Sequence, residues 1–304
     1  MTAVIIILIV LLAALCIVSW RMAGFSMGIR RQTLEEARAW QEARYDLSWY
    51  DAIEKEDYIV EGEDGYRLHA QRLIHPDGAD RGVIISHGYT DNRFGALKYA
   101  KNYLDMGFDV IVYDLRGHGL NEPTFCTYSI RESRDLARLI ADARTRCPQW
   151  RTLGLHGESL GAASTVACLK NCPDVDFAVS DCAFSDIRPV LRGGVRGMHL
   201  PAFLVDIASI AAKLRYGYSY AEMRPVEGLA DNRVPILFLH GAEDTFILPS
   251  HSEILSKATS GYSELHLIPG AGHAGSALAV PELYRETVQA FVGKCKKMLD
   301  RNAE

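Results

Sequence analysis

The sequence predicts an α/β fold in which a mostly parallel sheet is covered by helices on both faces. Two observations support this prediction: short apolar segments alternate with amphipathic segments along most of the chain, and glycine-rich turns follow several of the apolar segments. Strands that are buried on both faces read as continuous apolar runs, as these segments do. The chain has 304 residues, and those that follow its N-terminal region suffice for one domain of this class.

The first element is an uninterrupted apolar stretch from Ala3 to Val18, and no charged side chain occurs before Arg21. With its flanking residues, this stretch is close to the roughly 20 residues that a helix needs to cross a bilayer. A cleaved signal peptide is the alternative, but it would have a basic segment before the apolar core and small residues after it. Here Trp20-Arg21-Met22 follows the core. We therefore predict an uncleaved, single-pass transmembrane anchor at residues 1–22 and a location in the cell membrane.

Charge on the C-terminal side of the anchor predicts the orientation of the chain. Arg21, Arg30, Arg31 and Arg38 all follow the apolar stretch, and no lysine or arginine precedes it. Because positively charged flanks are retained in the cytoplasm, we expect the rest of the chain to face the cytoplasm.

Residues 23–55 are predicted to form a juxtamembrane helix. Thr33-Leu34-Glu35-Glu36 matches a capping box, which satisfies the first backbone N–H groups of a helix and so marks its start. The helix is expected to extend to about Ile53. Its apolar and aromatic side, which we expect to pack against the following domain, comprises Leu34, Ala37, Trp40, Tyr45, Leu47 and Trp49.

The main domain is predicted to span residues 56–300. It opens with a hairpin of Tyr58–Val60 and Tyr66–Leu73, turned at Glu63-Asp64-Gly65. Strands and helices then alternate, which is typical of a parallel sheet with helices on both faces. The six further predicted strands are Val83–Ser86, Val110–Leu115, Thr152–His156, Phe177–Asp181, Pro235–Leu239 and Glu264–Ile268.

One segment, at about residues 184–232, is too long for an ordinary connection between two of these strands. Within it, Pro201–Leu214 is predicted to be an amphipathic helix. The apolar side of that helix would contain Phe203, Leu204, Ile207, Ile210 and Ala211. Arg188, Arg192 and Arg196 recur every four residues and would form a basic stripe on another helix. Such a stripe is either a solvated helix face or a contact for anionic lipid headgroups or a substrate carboxylate.

The residues from Leu155 onwards form the most informative motif of the chain. An apolar strand runs into Gly157-Glu158-Ser159-Leu160-Gly161, and a helical pattern follows directly. A serine on such a sharp turn projects its hydroxyl above the sheet, and the flanking glycines let the backbone pack tightly. The new helix also directs its free N–H groups towards any oxyanion that forms beside the serine. Ser159 is therefore the predicted nucleophile.

A serine hydroxyl needs a base to take its proton and an acid to orient that base. The predicted strand Pro235–Leu239 leads into His240-Gly241-Ala242-Glu243-Asp244, which puts Asp244 in a loop just beyond a strand end. The last predicted strand leads into Gly270-Ala271-Gly272-His273, a loop that can carry His273 back over the sheet. The candidate catalytic set is therefore Ser159, Asp244 and His273, in that chain order.

Two other carboxylates compete for the role of the acid. Glu243 neighbours Asp244, but a strand-end loop aims only one of two adjacent side chains inward. Asp181 ends the preceding predicted strand and is the main alternative. Among the ten histidines, His273 alone follows the acid-bearing strand in a glycine-rich loop. Those expected to be buried structural groups are His87, His156 and His240, whereas His251 and His266 are expected at the surface.

The predicted nucleophile also needs an oxyanion hole built from backbone N–H groups. One donor should be Leu160, the residue after the nucleophile. The other should come from the loop after the predicted strand Val83–Ser86, where His87-Gly88-Tyr89-Thr90 follows. The backbone N–H of Tyr89 is the predicted second donor, and one such donor contributes about 3 kcal/mol to transition-state stabilisation.

Together these motifs resemble those of the α/β-hydrolase superfamily. From about Tyr58 onwards, the chain is most similar to bacterial serine hydrolases with an N-terminal membrane segment, related to the cinnamoyl-ester-hydrolase and prolyl-oligopeptidase-like branches. The resemblance implies that residues 184–232 form a helical cap, and a serine at position 159 excludes the branches with a carboxylate nucleophile. The matching segments are His87-Gly88-Tyr89-Thr90, Asp114-Leu115-Arg116-Gly117-His118-Gly119, Gly157-Glu158-Ser159-Leu160-Gly161, His240-Gly241-Ala242-Glu243-Asp244 and Gly270-Ala271-Gly272-His273.

The residues and the resemblance predict a serine hydrolase that cleaves carboxylic esters through an acyl-enzyme intermediate. A peptidase or amidase and an acyltransferase on the same triad are alternatives, and a non-catalytic membrane scaffold is a further one. We expect no metal or organic cofactor. The expected partners are a small-molecule ester or lipid-like substrate and the membrane. The net charge of −5 and the dispersed basic residues give no basis for binding nucleic acid.

Overall fold

The computed structural model describes residues 1–170 and 174–303, without the side chains of residues 299–303. Helices and strands alternate through most of the described chain. The helices are α1 (Thr2–Met27), α2 (Leu34–Glu42), α3 (Ser48–Ala52), α4 (Leu97–Asp105), α5 (Ile130–Arg146), α6 (Leu160–Cys168), α7 (Ile187–Gly197), α8 (Leu204–Tyr216), α9 (Ser250–Ala258), α10 (Ser276–Ala279) and α11 (Pro281–Ala303).

The strands in the described part of the chain form one eight-stranded sheet in the order β1-β2-β4-β3-β5-β6-β7-β8. Strands β1 and β2 form an antiparallel hairpin, and β2 pairs antiparallel with β4. All pairings from β4 through β3 to β8 are parallel, which confirms the predicted mostly parallel α/β sheet. The strands are β1 (Lys55–Glu61), β2 (Arg67–Leu73), β3 (Arg81–Ser86), β4 (Asp109–Tyr113), β5 (Thr152–Glu158), β6 (Phe177–Asp181), β7 (Ile236–Gly241) and β8 (Ser263–Ile268).

Each face of the sheet is covered by its own hydrophobic cluster. Because successive side chains of a strand point to opposite faces, Val83 and Ile85 pack into one cluster and Ile84 into the other. All three side chains are fully buried. This two-sided burial explains why the parallel strands read as continuous apolar runs in the sequence.

The N-terminal helix α1 is long and apolar enough to span a membrane, with a mean hydropathy of 3.2 over its most apolar window of 18 residues. It continues nine residues beyond Val18 and crosses the predicted boundary at residue 22. Ser19, Ala23 and Met27 are buried against the rest of the protein, whereas nearly all the residues before them are exposed. The C-terminal part of α1 is therefore built into the domain core.

The helix predicted from Thr33 to about Ile53 is instead two helices, α2 and α3. The predicted capping box is present at the start of α2, where the Thr33 hydroxyl accepts from the N–H of Glu36. Between the helices, the Asp46 side chain accepts from the N–H of Ser48 at 2.9 Å, and this local hydrogen bond competes with helix continuation. The domain boundaries at residues 22 and 55 stay predictions.

The segment between β6 and β7 contains α7 and α8, and the predicted apolar side of α8 is divided between two faces. Leu204, Ala208 and Ala211 are buried, whereas Phe203 and Ile210 are exposed. The buried face packs against α1 because small side chains on both helices allow a close approach of the two backbones.

The predicted basic stripe lies on α7. Arg188 forms an ion pair with Asp186 at 2.6 Å, and Arg192 forms one with Asp206 at 2.6 Å. Arg196 is exposed and makes no ion pair with any residue that the structure describes. Two of the three charges are therefore neutralised within the protein.

Candidate active site

Ser159 lies on the tight turn between β5 and α6, with φ of 52° and ψ of −112°. A non-glycine residue rarely adopts this positive φ, and such strain is concentrated at functional sites. The flanking glycines are required sterically: a Cβ at Gly157 would lie 2.4 Å from the carbonyl oxygen of Gly161, and one at Gly161 would lie 2.2 Å from that of Ser86. The turn thus holds the Ser159 hydroxyl above the carboxyl ends of β3 and β5.

The structure brings the three predicted catalytic residues into one hydrogen-bonded chain. The Oγ of Ser159 lies 2.9 Å from Nε2 of His273. On the other side of the imidazole, Nδ1 lies 2.7 Å from Oδ2 of Asp244. Since Asp244 is ionised and can only accept, Nδ1 carries a proton, and Nε2 is then free to accept the proton of Ser159 in the neutral imidazole.

Two loops are hydrogen-bonded to each other and fix the position of His273 relative to Asp244. The N–H of Ala242 donates to the carbonyl of Ile268 at 2.8 Å, and the N–H of Glu243 donates to that of Ala271 at 3.0 Å. A Cβ at Gly241 would lie 2.4 Å from the carbonyl oxygen of Ala271, so only glycine allows this approach. The glycines that mark these loops in the sequence therefore serve close backbone packing.

Each oxygen of the Asp244 carboxylate has two hydrogen-bond donors around it. Its Oδ1 accepts from the N–H groups of Phe246 and Ile247, both at 2.9 Å. Its Oδ2 lies 3.2 Å from Nε2 of His240 as well as near His273. Desolvation by burial would raise the pKa of Asp244, but the hydrogen bonds from His240 and His273 outweigh it and hold the pKa well below its ordinary value of 3.8. Asp244 is therefore ionised at neutral pH.

His240 was expected to be only a buried structural group, and its contact with Asp244 was missed. Its Nε2 lies 2.7 Å from the carbonyl oxygen of Ile247, and both neighbours of Nε2 are acceptors. The Nε2 atom therefore carries a proton, and Nδ1 accepts from the hydroxyl of Ser252 at 2.7 Å. The signal in the sequence is its position four residues before Asp244, at the end of β7.

The two competing carboxylates lie in different surroundings. Glu243 is exposed, whereas its neighbour Asp244 is buried. Asp181 is fully buried, and Ser276 donates to its Oδ1 at 3.3 Å. Desolvation raises the pKa of Asp181 to about 6, and the charge of Glu158 adds to this shift. Among the described residues, Asp181 makes no hydrogen bond to His273, whereas Oδ2 of Asp244 lies 2.7 Å from its Nδ1.

The remaining histidines mostly follow the expectations. His87 and His156 are buried, and His266 is half-buried on β8. His251 was wrongly expected at the surface: it is buried, and its Nδ1 accepts from the N–H of Ser185 at 3.2 Å. His251 is buried because the segment before α7 folds over α9. The sequence pattern of α9 alone does not indicate this contact.

The predicted oxyanion donors lie on the loop after β3 and at the start of α6. A Cβ at Gly88 would lie 3.7 Å from that of Ser159, so this loop passes directly beside the nucleophile. Among the residues that the structure describes, the backbone N–H of Tyr89 has no hydrogen-bond acceptor. Leu160 is the first residue of α6, where backbone N–H groups have no partner within the helix. Neither predicted donor therefore has a hydrogen-bond acceptor among the described residues.

A buried ion pair lies directly beneath the nucleophile turn. The ammonium of Lys98 on α4 contacts the carboxylate of Glu158, whose side chain is 6% exposed, against 4% for that of Lys98. The hydroxyl of Tyr99 donates to the same carboxylate. Burial would lower the pKa of Lys98, but the charge of Glu158 outweighs it and raises the pKa. No role for Glu158 was predicted from the sequence.

We expect Lys98→Met to destabilise the protein by about 3–5 kcal/mol, because it leaves the buried Glu158 carboxylate without its cation. Lys101→Met is the matched control: Lys101 lies one turn later on α4 and pairs with Asp105 at the surface, so its loss should cost within about 0.5 kcal/mol. Denaturant unfolding of the full chain measures both changes. Equal midpoints for the two variants would contradict this account, and Glu158→Gln in the Lys98→Met background should restore part of the loss.

Comparison with known proteins identifies relatives of this chain. A model of the alpha/beta hydrolase family matches residues 83–287. The uncharacterized protein YqkD of Bacillus subtilis is 30% identical over 247 residues, which are 80% of this chain and 81% of YqkD. The thermostable monoacylglycerol lipase of Bacillus sp. strain H-257 is 27% identical over 133 residues, which are 42% of this chain and 50% of the lipase.

The solved structures show the same fold. The esterase Pf2001 of Pyrococcus furiosus matches with a TM-score of 0.67 at 20% identity, over 82% of this chain and 96% of the esterase. The family match extends from β3 to α11 and so includes the loops that bear Ser159, Asp244 and His273. The chain belongs to the alpha/beta hydrolase family.

Proposed function

We propose that the protein is a membrane-anchored serine hydrolase that cleaves carboxylic esters through an acyl-enzyme intermediate. The observation that carries the proposal is the hydrogen-bonded chain from the Ser159 hydroxyl through His273 to Asp244, with distances of 2.9 and 2.7 Å. Esterases among the structural neighbours support a hydrolase, and a lipase among the sequence relatives is consistent with ester substrates. No step of the proposed reaction requires a metal or organic cofactor.

In the proposed reaction, Nε2 of His273 takes the proton of Ser159 as Oγ attacks the carbonyl carbon. The N–H groups of Leu160 and Tyr89 stabilise the resulting oxyanion. The intermediate collapses, and the alcohol leaves with the proton from Nε2. Water then gives a proton to Nε2 and attacks the acyl-enzyme, which releases the carboxylic acid and returns the proton to Ser159. Asp244 orients His273 and stabilises its charged form throughout.

We also propose that α1 is a membrane anchor that is retained in the mature protein. Its apolar residues before Ser19 are nearly all exposed, which is consistent with lipid as their surroundings. Ala23 and Met27 lie in the hydrophobic core, so cleavage after the apolar stretch would leave a shortened helix in the domain. The arginines that follow α1 favour a cytoplasmic domain. Protease accessibility in sealed spheroplasts tests the orientation.

The function is tested with p-nitrophenyl esters from acetyl to palmitoyl, hydrolysed by the full chain in detergent. We expect kcat/KM to reach a maximum along the series, because a binding site of fixed size accepts acyl chains of limited length. The matched amides should react far more slowly, since an amine is a poorer leaving group than an alcohol. Amides that react faster than esters would favour the peptidase or amidase alternative.

Two further alternatives give different outcomes in the same assay. An acyltransferase would form more transfer product than free acid when an acceptor alcohol or thiol is added. A non-catalytic scaffold would hydrolyse no ester, and its Ser159 would not react with a fluorophosphonate. Folded protein that shows neither reaction would overturn the proposed function.

A further inference from the structure

Helix α8 and the turn before it expose an apolar surface. Phe203, Ile207, Ile210 and Leu214 recur at intervals of four, three and four residues, which puts them on one side of a helix. Phe203 is 55% exposed, Ile210 64% and Leu214 77%. We call these four residues the cap stripe. Soluble surfaces rarely expose a contiguous apolar patch of this kind unless it binds a partner or a membrane.

The cap stripe continues onto the apolar surface of α1. The opposite face of α8 packs on the last third of α1, just after the point where the exposed apolar residues of α1 end. Arg215 of α8 lies over the exposed ring of Trp20, 5.4 Å from its centroid, and donates to the carbonyl of Trp20 at 3.4 Å. Tryptophan is enriched where a membrane helix leaves the hydrocarbon core. Helix α8 therefore stands beside α1 at the level expected for the membrane surface.

The junction between α1 and the domain is rigid. The N–H of Cys126 donates to the carbonyl of Met27 at 2.8 Å, and Gly28 forms a β-bridge with Phe125. The hydroxyl of Tyr128 donates to the carbonyl of Ser26. These contacts leave no flexible linker after α1, so the orientation of α1 also determines which face of the domain lies against the bilayer.

The charge of this region complements an anionic membrane. Residues 187–216 contain five lysines and arginines. Arg188, Arg192 and Lys213 pair with carboxylates, whereas Arg215 makes no ion pair with any residue that the structure describes. Arg196, in the exposed end of α7, makes no ion pair within the described residues. Cationic side chains beside an apolar helix face are typical of helices that lie in the lipid headgroup region.

We propose that the cap stripe docks into the headgroup region of the same bilayer that α1 spans. The partner is the surface of a membrane that contains anionic lipid. The stripe inserts its apolar side chains among the upper acyl chains, and Arg196, which has no carboxylate partner among the described residues, contacts the lipid phosphates. This inference rests on the membrane anchor of the proposed function, and it does not depend on catalysis.

The test measures lipid contact at single positions of the full chain, reconstituted in vesicles of phosphatidylcholine and phosphatidylglycerol. Cys16, which is exposed, is first changed to Ser. Cys172, which lies outside the described residues, is changed to Ser as well. The fluorophore NBD is then attached to Ile210→Cys, to Leu8→Cys on α1, or to Lys257→Cys on α9, whose side chain is 80% exposed. Two quenchers are used in separate samples: lipids with a nitroxide near the headgroup and lipids with a nitroxide deep in the acyl chain.

We expect the headgroup nitroxide to quench the fluorophore at position 210, because this position lies near the membrane surface. We expect no quenching at the control position 257. Quenching at position 8 by a nitroxide deep in the acyl chain, but none at position 210, would overturn the cap docking and leave the anchor intact. Absence of quenching at position 8 would overturn the anchor itself. A change at position 210 that depends on protein concentration and not on the quencher would instead indicate a second copy of the chain as the partner. The same measurement on Ser159→Ala separates all of these outcomes from any failure of the proposed activity.

Discussion

Ser159→Ala is expected to lower kcat for ester hydrolysis by about 10⁶-fold, because it removes the atom that forms the acyl-enzyme. The structure leaves no substitute nucleophile in the hydrogen-bonded chain: His273 contacts Ser159 through Nε2 and Asp244 through Nδ1. Residual activity should come from the oxyanion donors and substrate binding alone. Steady-state hydrolysis of the best p-nitrophenyl ester measures the loss, and labelling by a fluorophosphonate should disappear with it.

The matched control is Ser164→Ala, the same chemical change five residues later. Ser164 lies on α6, is fully buried, and its hydroxyl donates to the carbonyl of Leu160 at 2.8 Å. Its loss removes one buried hydrogen bond, which costs about 1 kcal/mol of stability and leaves the reacting atoms in place. We therefore expect kcat to stay close to that of the unmodified protein. Loss of activity in Ser164→Ala as large as in Ser159→Ala would show that the turn, and not the hydroxyl, is sensitive to substitution.

Asp244→Asn is expected to lower kcat by about 10⁴-fold through the wrong tautomer of His273. The N–H groups of Phe246 and Ile247 both donate to Oδ1, so the oxygen of the new amide must stay at that position. Its NH₂ group then faces Nδ1 of His273, which has to accept a hydrogen bond. The imidazole proton moves to Nε2, and His273 can no longer take the proton of Ser159. The pH dependence of kcat/KM should change along with its magnitude.

Asp181→Asn distinguishes the two candidate acids. Asp181 is as deeply buried as Asp244 and also lies at a strand end, but its described partners are Ser276 and Tyr284 and not His273. We expect Asp181→Asn to keep most of the activity. It should also gain stability above pH 6, because the folded-state pKa of Asp181 is raised to about 6 from an ordinary value of 3.8. As the pH rises from about 4 to 6, the Asp181 carboxyl ionises in the unfolded chain before it ionises in the folded protein, which lowers the free energy of unfolding. The amide variant has no such group, so it does not lose this stability. A loss of kcat in Asp181→Asn comparable to that expected of Asp244→Asn would assign the acid to Asp181.

Much of the fold could be predicted because its signals are local. Each predicted parallel strand coincides within one or two residues at each end with an observed strand, since burial on both faces produces a short apolar run bounded by turn residues. The capping box at Thr33 marked the start of α2 because it is also a local signal. The break in the predicted helix was missed because apolar periodicity does not report the turn after Glu42, in which the Asp46 side chain accepts from the N–H of Ser48.

The candidate site shows the same division between local and distant interactions. The glycines around Ser159 and the loop positions of Asp244 and His273 are marked by turn chemistry and chain order. The contact of His240 with Asp244 depends on the bend of the loop between them. The pair of Lys98 and Glu158 joins positions on different elements, far apart in the chain.

The sequence by itself determined the class of fold, the strands of the sheet and the three residues proposed for catalysis. Each of these depends on residue type and spacing within a short segment, which apolar periodicity and glycine turns report directly. Only the tertiary structure decided that α1 is packed into the domain through Ala23 and Met27, and that one apolar side of α8 is buried while the other is exposed. The physical reason is that an apolar residue on a helix favours burial, but which neighbour buries it depends on elements that are distant in the chain.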